Sequence, residues 1–209
     1  FHRRVAAATG RRTVAWSRLG HGWSDPPAAP RTVRFMHEEA AVVVPALREA
    51  MDLAAPVLVG HSDGASIALL HAAGAGRGGH DVTGLVVLAP HVLVEESGLV
   101  AIRAARDAFD RGDLRTRMAR RHRDPDAAFR NWNDVWLHED FRAWDLRPEL
   151  PRITCPTLAV QGTADPYGTL VHVEAVRDHA TGPVELLVLD CAHAPHLEAP
   201  EAVHGSVTA

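Results

Sequence analysis

A serine between two glycines, in the motif GHSDG at residues 60–64, is the first group whose type and spacing could support chemistry. The surrounding stretch reads VLVGHSDGAS, so an apolar triplet leads into the motif and an apolar helical pattern follows it. A G-x-S-x-G motif between a strand and a helix projects the serine hydroxyl from a sharp turn at the end of a sheet. Ser62 is therefore a candidate nucleophile, and a simple turn serine is the alternative.

Two later segments supply candidates for the base and the acid that a nucleophilic serine needs. Residues 185–201 read ELLVLDCAHAPHLEAPE, which places His193 and His196 just after an apolar strand pattern. Residues 157–169 read TLAVQGTADPYGT, which places Asp165 in a turn after the preceding strand. The chain order Ser, Asp, His distinguishes this set from two other well-known serine triads.

The order of elements predicts a fold that brings these residues together. Strand candidates alternate with helical patterns, and four of the five strands are continuous apolar runs, as expected for parallel strands covered on both faces. The predicted strands are residues 13–16, 57–59, 85–88, 157–160 and 185–189. The predicted helices are residues 33–53, interrupted or kinked at Pro45, then 62–73, 169–179 and a last one from about 200, with a glycine-rich connector at 74–84. The fold class is α/β, with a mostly parallel, doubly wound sheet.

Residues 92–150 differ from the rest of the chain because they contain helical patterns only. We interpret them as an inserted helical cap, with residues 1–91 and 151–209 forming the core. Trp132 and Trp136 are four residues apart and so share one helix face. This face either packs on the body of the protein or lines a pocket for an apolar substrate.

Taken together, these segments resemble the α/β-hydrolase fold family, specifically its cap-bearing serine esterases, lactonases and carbon–carbon hydrolases. The stretch AWSRLGHGWSDPP at residues 15–27 is similar to the family's D-x-R-G-x-G-x-S-D strand and loop. CAHAPHLEAPE at residues 191–201 is similar to its histidine loop, G-H-x-P-x-x-E-x-P, with Ala192 where glycine is usual. The resemblance covers essentially the whole chain.

The resemblance implies a role for each candidate residue. Ser62 would be the nucleophile, His193 the base and Asp165 the acid that orients the base. The backbone N–H of Asp63, the residue after the nucleophile, would be one oxyanion donor. The carboxylate of Asp63 is expected to be exposed or to lie at a helix N-terminus, where the helix dipole favours negative charge.

Five side chains are candidates for the substrate pocket, each with an alternative. His61 either lines the pocket or packs beside the serine turn, and His91 either lines it or has a surface or hinge role. His196 is either a wall residue or a loop residue. Trp132 and Trp136 are the two tryptophans of the shared helix face.

The resemblance also implies a second oxyanion donor, from a His-Gly loop that would precede residue 15. No such segment stands in the sequence, and residues 1–12 look like the end of the helix that follows that loop. We therefore expect this sequence to be a fragment of a longer chain. Losing one oxyanion donor costs about 10²–10³ in rate.

The function that follows is hydrolysis of a carboxylic ester or lactone through an acyl-enzyme. The alternatives are a carbon–carbon bond hydrolase of the same fold and a non-catalytic or truncated ligand-binding protein. Ser62 argues against haloalkane dehalogenases and epoxide hydrolases, which resemble this fold but use an aspartate at that position.

Composition excludes several other classes of function. A net charge of −4 over 209 residues gives no electrostatic basis for binding nucleic acid or an anionic membrane. Cys155 and Cys191 are expected to be buried free thiols, and neither a metal nor a cofactor is predicted. The expected partner is a small acyl substrate, with a homo-oligomer left open. Without a signal peptide or membrane span a cytoplasmic location is expected, with secretion as the alternative because the sequence begins at Phe1.

Overall fold

Four parallel strands form the centre of the protein, and they pair in chain order. The computed structural model describes residues 1–74 and 81–208, so most of the glycine-rich connector predicted at 74–84 lies outside the described residues. The strands are β1 (Val57–His61), β2 (Gly84–Leu88), β3 (Thr157–Gly162) and β4 (Val184–Leu189). Each lies within about two residues of a predicted apolar run.

The two middle strands are buried along their whole length, as their continuous apolar sequences predicted. Alternate side chains of a strand point to opposite faces of the sheet. Leu85 and Val87 accordingly join one hydrophobic cluster, whereas Val86 and Leu88 join another. The sheet is therefore packed with apolar side chains on both of its faces.

Helices supply the other half of each cluster. Those outside residues 92–150 are α1 (His2–Thr9), α2 (Phe35–Glu38), α3 (Val44–Ala50), α4 (Asp63–Ala72), α8 (Val171–His179), α9 (Pro195–Glu198) and α10 (Pro200–Thr208). The larger cluster contains side chains of α2, α4 and α8. The smaller one contains Val203 of α10, with Phe1 and Val207 packed against it. The predicted α/β class with a doubly wound parallel sheet is confirmed.

The strand predicted at residues 13–16 is wrong. The chain is irregular there, and Trp16 is 45% exposed. A strand is stabilised by hydrogen bonds to a neighbour, and within the described residues β1 pairs only with β2. An apolar run without a neighbouring strand gains no such hydrogen bonds, so the extended and buried conformation is not stabilised.

The helix predicted at residues 33–53 is present but is not regular. A π-helical turn, Glu39–Val43, separates α2 from α3, and Pro45 lies in the first turn of α3. Proline has no N–H to donate to the carbonyl four residues earlier, here that of Ala41, so regular α-helical bonding cannot continue through it. The predicted interruption at Pro45 is thus confirmed, and it takes the form of a wider turn.

Residues 92–150 contain helices, as predicted. These are α5 (Glu96–Arg111), α6 (Leu114–Ala119), α7 (Pro125–Trp136) and two 3₁₀ helices, Glu139–Ala143 and Arg147–Arg152. The two ends of the segment are joined where Leu146 N–H donates to the Val92 carbonyl at 2.8 Å. Their assignment as a separate cap stays a prediction.

Two further properties of the structure concern its cysteines and the character of its helices. Both cysteines are free, Cys191 buried and Cys155 half-buried, and burial raises the pKa of each thiol. In the described part of the chain, no helix combines the length and apolar character needed to cross a membrane.

The two glycines of the GHSDG motif provide a matched test of how closely β1 and α4 pack. A Cβ on Gly60 would lie 2.6 Å from the Ala65 Cα and closer still to the Gly64 carbonyl, whereas a Cβ on Gly64 would meet nothing within 4 Å. We expect Gly60→Ala to lower the free energy of unfolding by about 2 kcal/mol or more, because backbone atoms must move. Gly64→Ala should be neutral or raise it by up to about 1 kcal/mol, since alanine favours a helix. Urea unfolding of the two variants checks this, and equal effects would contradict it.

Candidate active site

Ser62 lies in a strained turn between the end of β1 and the start of α4. Its backbone has φ 55° and ψ −126°, a conformation that residues with a side chain rarely adopt. The turn is held because Ser62 N–H donates to the Leu88 carbonyl at 2.9 Å and the Ser62 carbonyl accepts from Ala65 N–H at 2.8 Å. Such strain costs about 1–3 kcal/mol and persists only where the surroundings impose it. Ser62 is therefore not a relaxed turn serine.

The predicted acid and base are directly bonded. His193 Nδ1 donates to Asp165 Oδ2 at 2.8 Å, and the Asp165 side chain is only 1% exposed. Gln161 Nε2 donates to the same oxygen, and Tyr167 N–H donates to Oδ1, both at 2.8 Å. Burial alone would raise the pKa of Asp165, but these donors and the charge of His193 together lower it. The acid is thus held in its ionised form.

The backbone on each side of His193 is fixed by two other side chains. His61 Nε2 donates to the His193 carbonyl at 2.7 Å. The Glu198 carboxylate accepts from the N–H groups of Ala192 and Ala194, at 2.7 and 2.9 Å. These two hydrogen bonds lower the pKa of Glu198. The histidine is therefore held through both its ring and its main chain.

The structure does not bond the predicted nucleophile to the predicted base. Among the described residues, no hydrogen bond joins Ser62 Oγ and His193. The distance between a nucleophile and its base is often long in the absence of substrate. The Asp165–His193 pair is thus observed, whereas the Ser62–His193 contact stays a prediction.

His61, at the end of β1, packs against His193 and His196 of the histidine loop. The His61 ring lies 4.9 Å from the His193 ring and 4.8 Å from the His196 ring, measured between centroids. Burial is the main cause that lowers the pKa of His61 to about 4, although the hydrogen bond to His193 opposes it. His61 is therefore a neutral side chain that packs beside the serine turn, and its ring also contacts His196.

His91 lies on the other side of His193 and is almost completely buried, at 4% exposure. Its ring centroid is 4.8 Å from Trp136, 5.1 Å from His172 and 5.9 Å from His193. Burial lowers its pKa well below the ordinary value. A surface role for His91 is wrong, because the loop after β2 is covered by residues 92–150.

Of the two positions expected for the Asp63 carboxylate, exposure is wrong and the helix N-terminus is confirmed. Asp63 is the first residue of α4, as predicted, but it is 5% exposed. Trp136 Nε1 donates to its Oδ1 at 3.1 Å, and Arg18 Nη2 lies 3.9 Å from its Oδ2. Burial raises the pKa of Asp63, and Arg18 and Trp136 only partly offset this. Helix α7 covers this carboxylate with the Trp136 ring.

The two predicted tryptophans lie at different depths. Trp136 is buried at 3% exposure and packs on Phe141, with ring centroids 4.8 Å apart. Trp132 is half-buried, and its ring centroid lies 6.3 Å from that of Tyr167. The Tyr167 ring centroid in turn lies 4.7 Å from that of His193. The face they share is therefore packed at one end and only partly covered at the other.

A groove of about 670 Å³ lies elsewhere, between residues 26–33 and α7. Its lining includes Asn131 and Val135 and none of the predicted pocket residues. Within the described ranges, no three histidine, cysteine or acidic side chains converge so as to hold a metal ion.

Sequence reasoning missed three side chains that shape this site. Gln161 is the last residue but one of the buried strand β3, and a polar residue directly after the apolar run Leu158–Val160 was the available signal. Glu198 belongs to the quoted histidine loop, but its role depends on the fold of that loop. His172 Nδ1 accepts from Val92 N–H at 3.2 Å and its Nε2 lies 2.9 Å from Glu95, which connects α8 to the start of the helical segment at residues 92–150.

Comparison with known proteins agrees with this geometry. The model of the alpha/beta hydrolase family matches residues 1–205. The human serine hydrolase BPHL is 26% identical over 197 residues, which are 88% of this chain and 64% of BPHL. The chain thus spans less than two thirds of the length of this curated relative.

Two solved structures are similar over 90% of the chain. Esterase EaEST from Exiguobacterium antarcticum superposes with a TM-score of 0.68 at 20% identity, over 77% of its own length, which shows the fold alone. Est816, described as an N-acyl homoserine lactone degrading enzyme, superposes with a TM-score of 0.67 at 26% identity, over 78% of its length.

The neutral state of His61 predicts a pH dependence of stability. Its pKa falls from 6.5 to about 4 on folding, so its contribution is complete above pH 6.5 and is lost as the pH falls toward 4. His61→Gln keeps a donor for the His193 carbonyl but does not titrate. We expect it to reduce the slope of unfolding free energy against pH near pH 5 by up to about 1.4 kcal/mol per pH unit.

Urea unfolding between pH 4 and 7 measures this slope. Gly64→Ala is the control, because it changes no titratable group and should leave the slope unchanged. Parallel curves for His61→Gln and the unmodified protein would show that His61 is not held neutral.

Proposed function

Because the chain belongs to the alpha/beta hydrolase family, we propose that it is a serine hydrolase that cleaves a carboxylic ester or a lactone through an acyl-enzyme. In this proposal Ser62 is the nucleophile, His193 the general base and Asp165 the acid that orients it. The observation that carries the proposal is the 2.8 Å hydrogen bond from His193 Nδ1 to the buried Asp165 carboxylate. A strained serine turn lies after β1, at the same edge of the parallel sheet.

The hydrogen bond to Asp165 determines which nitrogen of His193 can act. A carboxylate only accepts, so Nδ1 carries the proton and Nε2 has the free lone pair. Nε2 would take the Ser62 Oγ proton as Oγ bonds to the substrate carbonyl carbon. The same proton would pass to the leaving oxygen as the old C–O bond breaks, which releases the alcohol and leaves an acyl-enzyme.

The second half of the reaction, hydrolysis of the acyl-enzyme, repeats the first half with water as the nucleophile. His193 would take a proton from water as the water oxygen bonds to the acyl carbon, then return it to Ser62 Oγ as the bond between Oγ and that carbon breaks, which releases the carboxylic acid. Each attack places negative charge on the former carbonyl oxygen. Asp63 is the first residue of α4, and the first N–H groups of a helix have no partner inside it. Its backbone N–H is therefore proposed as one oxyanion donor.

The proposed substrate class rests on the site and on the two relatives at 26% identity. One is named a serine hydrolase and the other an enzyme that degrades an acyl lactone. The aromatic side chains Trp136 and Tyr167 lie beside the histidines of the site. We propose that the apolar acyl part of the substrate contacts this aromatic side. A carbon–carbon hydrolase would use the same triad, so a panel of esters, lactones and vinylogous diketones separates the two.

Replacing Ser62 by alanine tests the proposal most directly. We expect Ser62→Ala to abolish hydrolysis of p-nitrophenyl acetate, with a loss of up to about 10⁶ in kcat, because no other hydroxyl replaces the nucleophile. A fluorophosphonate probe should label the unmodified protein on the peptide that contains Ser62, and mass spectrometry of the digest identifies that peptide.

Ser97→Ala is the matched control, since Ser97 lies exposed on α5. It should keep both the hydrolysis and the labelling. Turnover retained in Ser62→Ala would refute the proposed nucleophile, and a protein that the probe does not label would instead be a non-catalytic ligand-binding protein.

A further inference from the structure

The side chain of Gln161 is a buried polar group whose position the chemistry above does not explain. It lies on β3 next to the strand's last residue, Gly162, and is 0% exposed. Its Nε2 donates to Asp165 Oδ2 at 2.8 Å and to the Gly168 carbonyl at 3.1 Å. One amide group therefore joins the strand to both the acid and the far end of the acid turn.

The orientation of this amide is determined by its partners. A carboxylate and a backbone carbonyl are both acceptors, so only the NH₂ group can face them. Turning the amide over would place Gln161 Oε1 against two other oxygens. Oε1 is therefore on the opposite side of the amide. It is buried and has no hydrogen-bond partner among the described residues. An unsatisfied buried acceptor is unfavourable, so the two donated bonds must compensate for it.

The hydrogen bond from Gln161 Nε2 is accepted by Asp165 Oδ2, the same oxygen that accepts the hydrogen bond from His193. Oδ2 accepts from both His193 Nδ1 and Gln161 Nε2, whereas Oδ1 accepts from Tyr167 N–H. Two donors on Oδ2 and one on Oδ1 fix the rotation of the carboxylate about its Cβ–Cγ bond. Without Gln161, one lone pair of a buried anionic oxygen would lose its partner.

We propose that Gln161 is a positioning residue, whose side-chain amide holds Asp165 ionised and in the plane of the His193 imidazole. This inference rests on the proposed function of Asp165 and His193. Gln161 touches no reacting atom and acts through Asp165 alone. A purely structural role would be to close the acid turn through Gly168, and the two roles predict different effects of substitution.

Gln161→Met keeps the length of the side chain and removes both donated bonds. We expect the second-order rate of fluorophosphonate labelling, and kcat/KM for p-nitrophenyl acetate, to fall about 10–100-fold, as for other residues that orient a catalytic group. The loss should appear in kcat rather than in KM, because no substrate contact changes. Thr157→Val is the control, since Thr157 is a buried polar residue at the other end of β3 and should leave both rates unchanged.

Gln161→Glu keeps the shape of the side chain and replaces its amide with a carboxyl group, which can lose a proton. When protonated, the introduced carboxyl can donate to Asp165 Oδ2, and when ionised it repels that oxygen. The rate of this variant relative to the unmodified protein should therefore fall as the pH rises. The comparison is a ratio because the same ionisable side chains lie near Asp165 in both proteins, namely His61, His91, His172, Tyr167, Cys191, His193 and Glu198.

A spectroscopic readout is independent of activity. The proton on His193 Nδ1 should give a low-field ¹H NMR resonance that is absent in Asp165→Asn. Gln161→Met should shift or broaden it, because the carboxylate is no longer held in place. Full labelling rate in folded Gln161→Met, a Gln161→Glu ratio that does not change with pH, or an unchanged resonance would each overturn the inference.

These outcomes separate the inference from the proposed function. If Ser62→Ala stays active, or the unmodified protein is not labelled, the proposed function fails and the resonance alone decides the role of Gln161. If Gln161→Met does not fold, Gln161→Glu decides it.

Discussion

The hydrogen bond between His193 Nδ1 and Asp165 Oδ2 is the interaction around which the rest of the site is arranged. It joins the turn after β3 to the loop after β4, two adjacent parallel strands whose last residues, Gly162 and Leu189, are paired in register. Parallel pairing places the carboxyl ends of the strands at one edge, so the register alone brings the acid and the base close. A two-residue shift of this register would move the two loops apart by about 7 Å, since a strand rises about 3.3 Å per residue.

That bond also determines how the neighbouring polar groups are protonated. An ionised carboxylate that is only 1% exposed is stable because three N–H donors replace the water it has lost. Among the described residues neither His61 nor His91 has a carboxylate acceptor, and burial lowers the pKa of both. Neutral His61 can then donate to the His193 carbonyl without adding a positive charge beside the base. The site therefore contains several histidines, of which one is bonded to the acid.

The sequence was informative wherever the signal was local. Runs of three to five mostly apolar residues predicted β1 to β4, and the position of Asp165 and His193 just after such runs predicted that they would converge. The irregular chain at residues 13–16 was not predictable, because a strand there depends on a neighbour and not on its own pattern. The burial of the Asp63 carboxylate depends on Trp136, 73 residues later in the chain. The role of Gln161 required the turn geometry that places Gly168 and Asp165 within reach of one amide.

The contrast between the two buried acids explains which of them can serve His193. Asp63 is next to the nucleophile in sequence, but its carboxylate has one indole donor at 3.1 Å and a guanidinium at 3.9 Å, and burial raises its pKa. Asp165 has three N–H donors within 2.8 Å, and its pKa is lowered despite burial. A group that must stabilise an imidazolium has to be ionised when the proton arrives. Environments that separate the pKa values of two carboxyl groups in this way assign them different roles. Asp165 fits the acid of the proposed triad, whereas the Asp63 side chain connects the serine turn to helix α7 through Trp136.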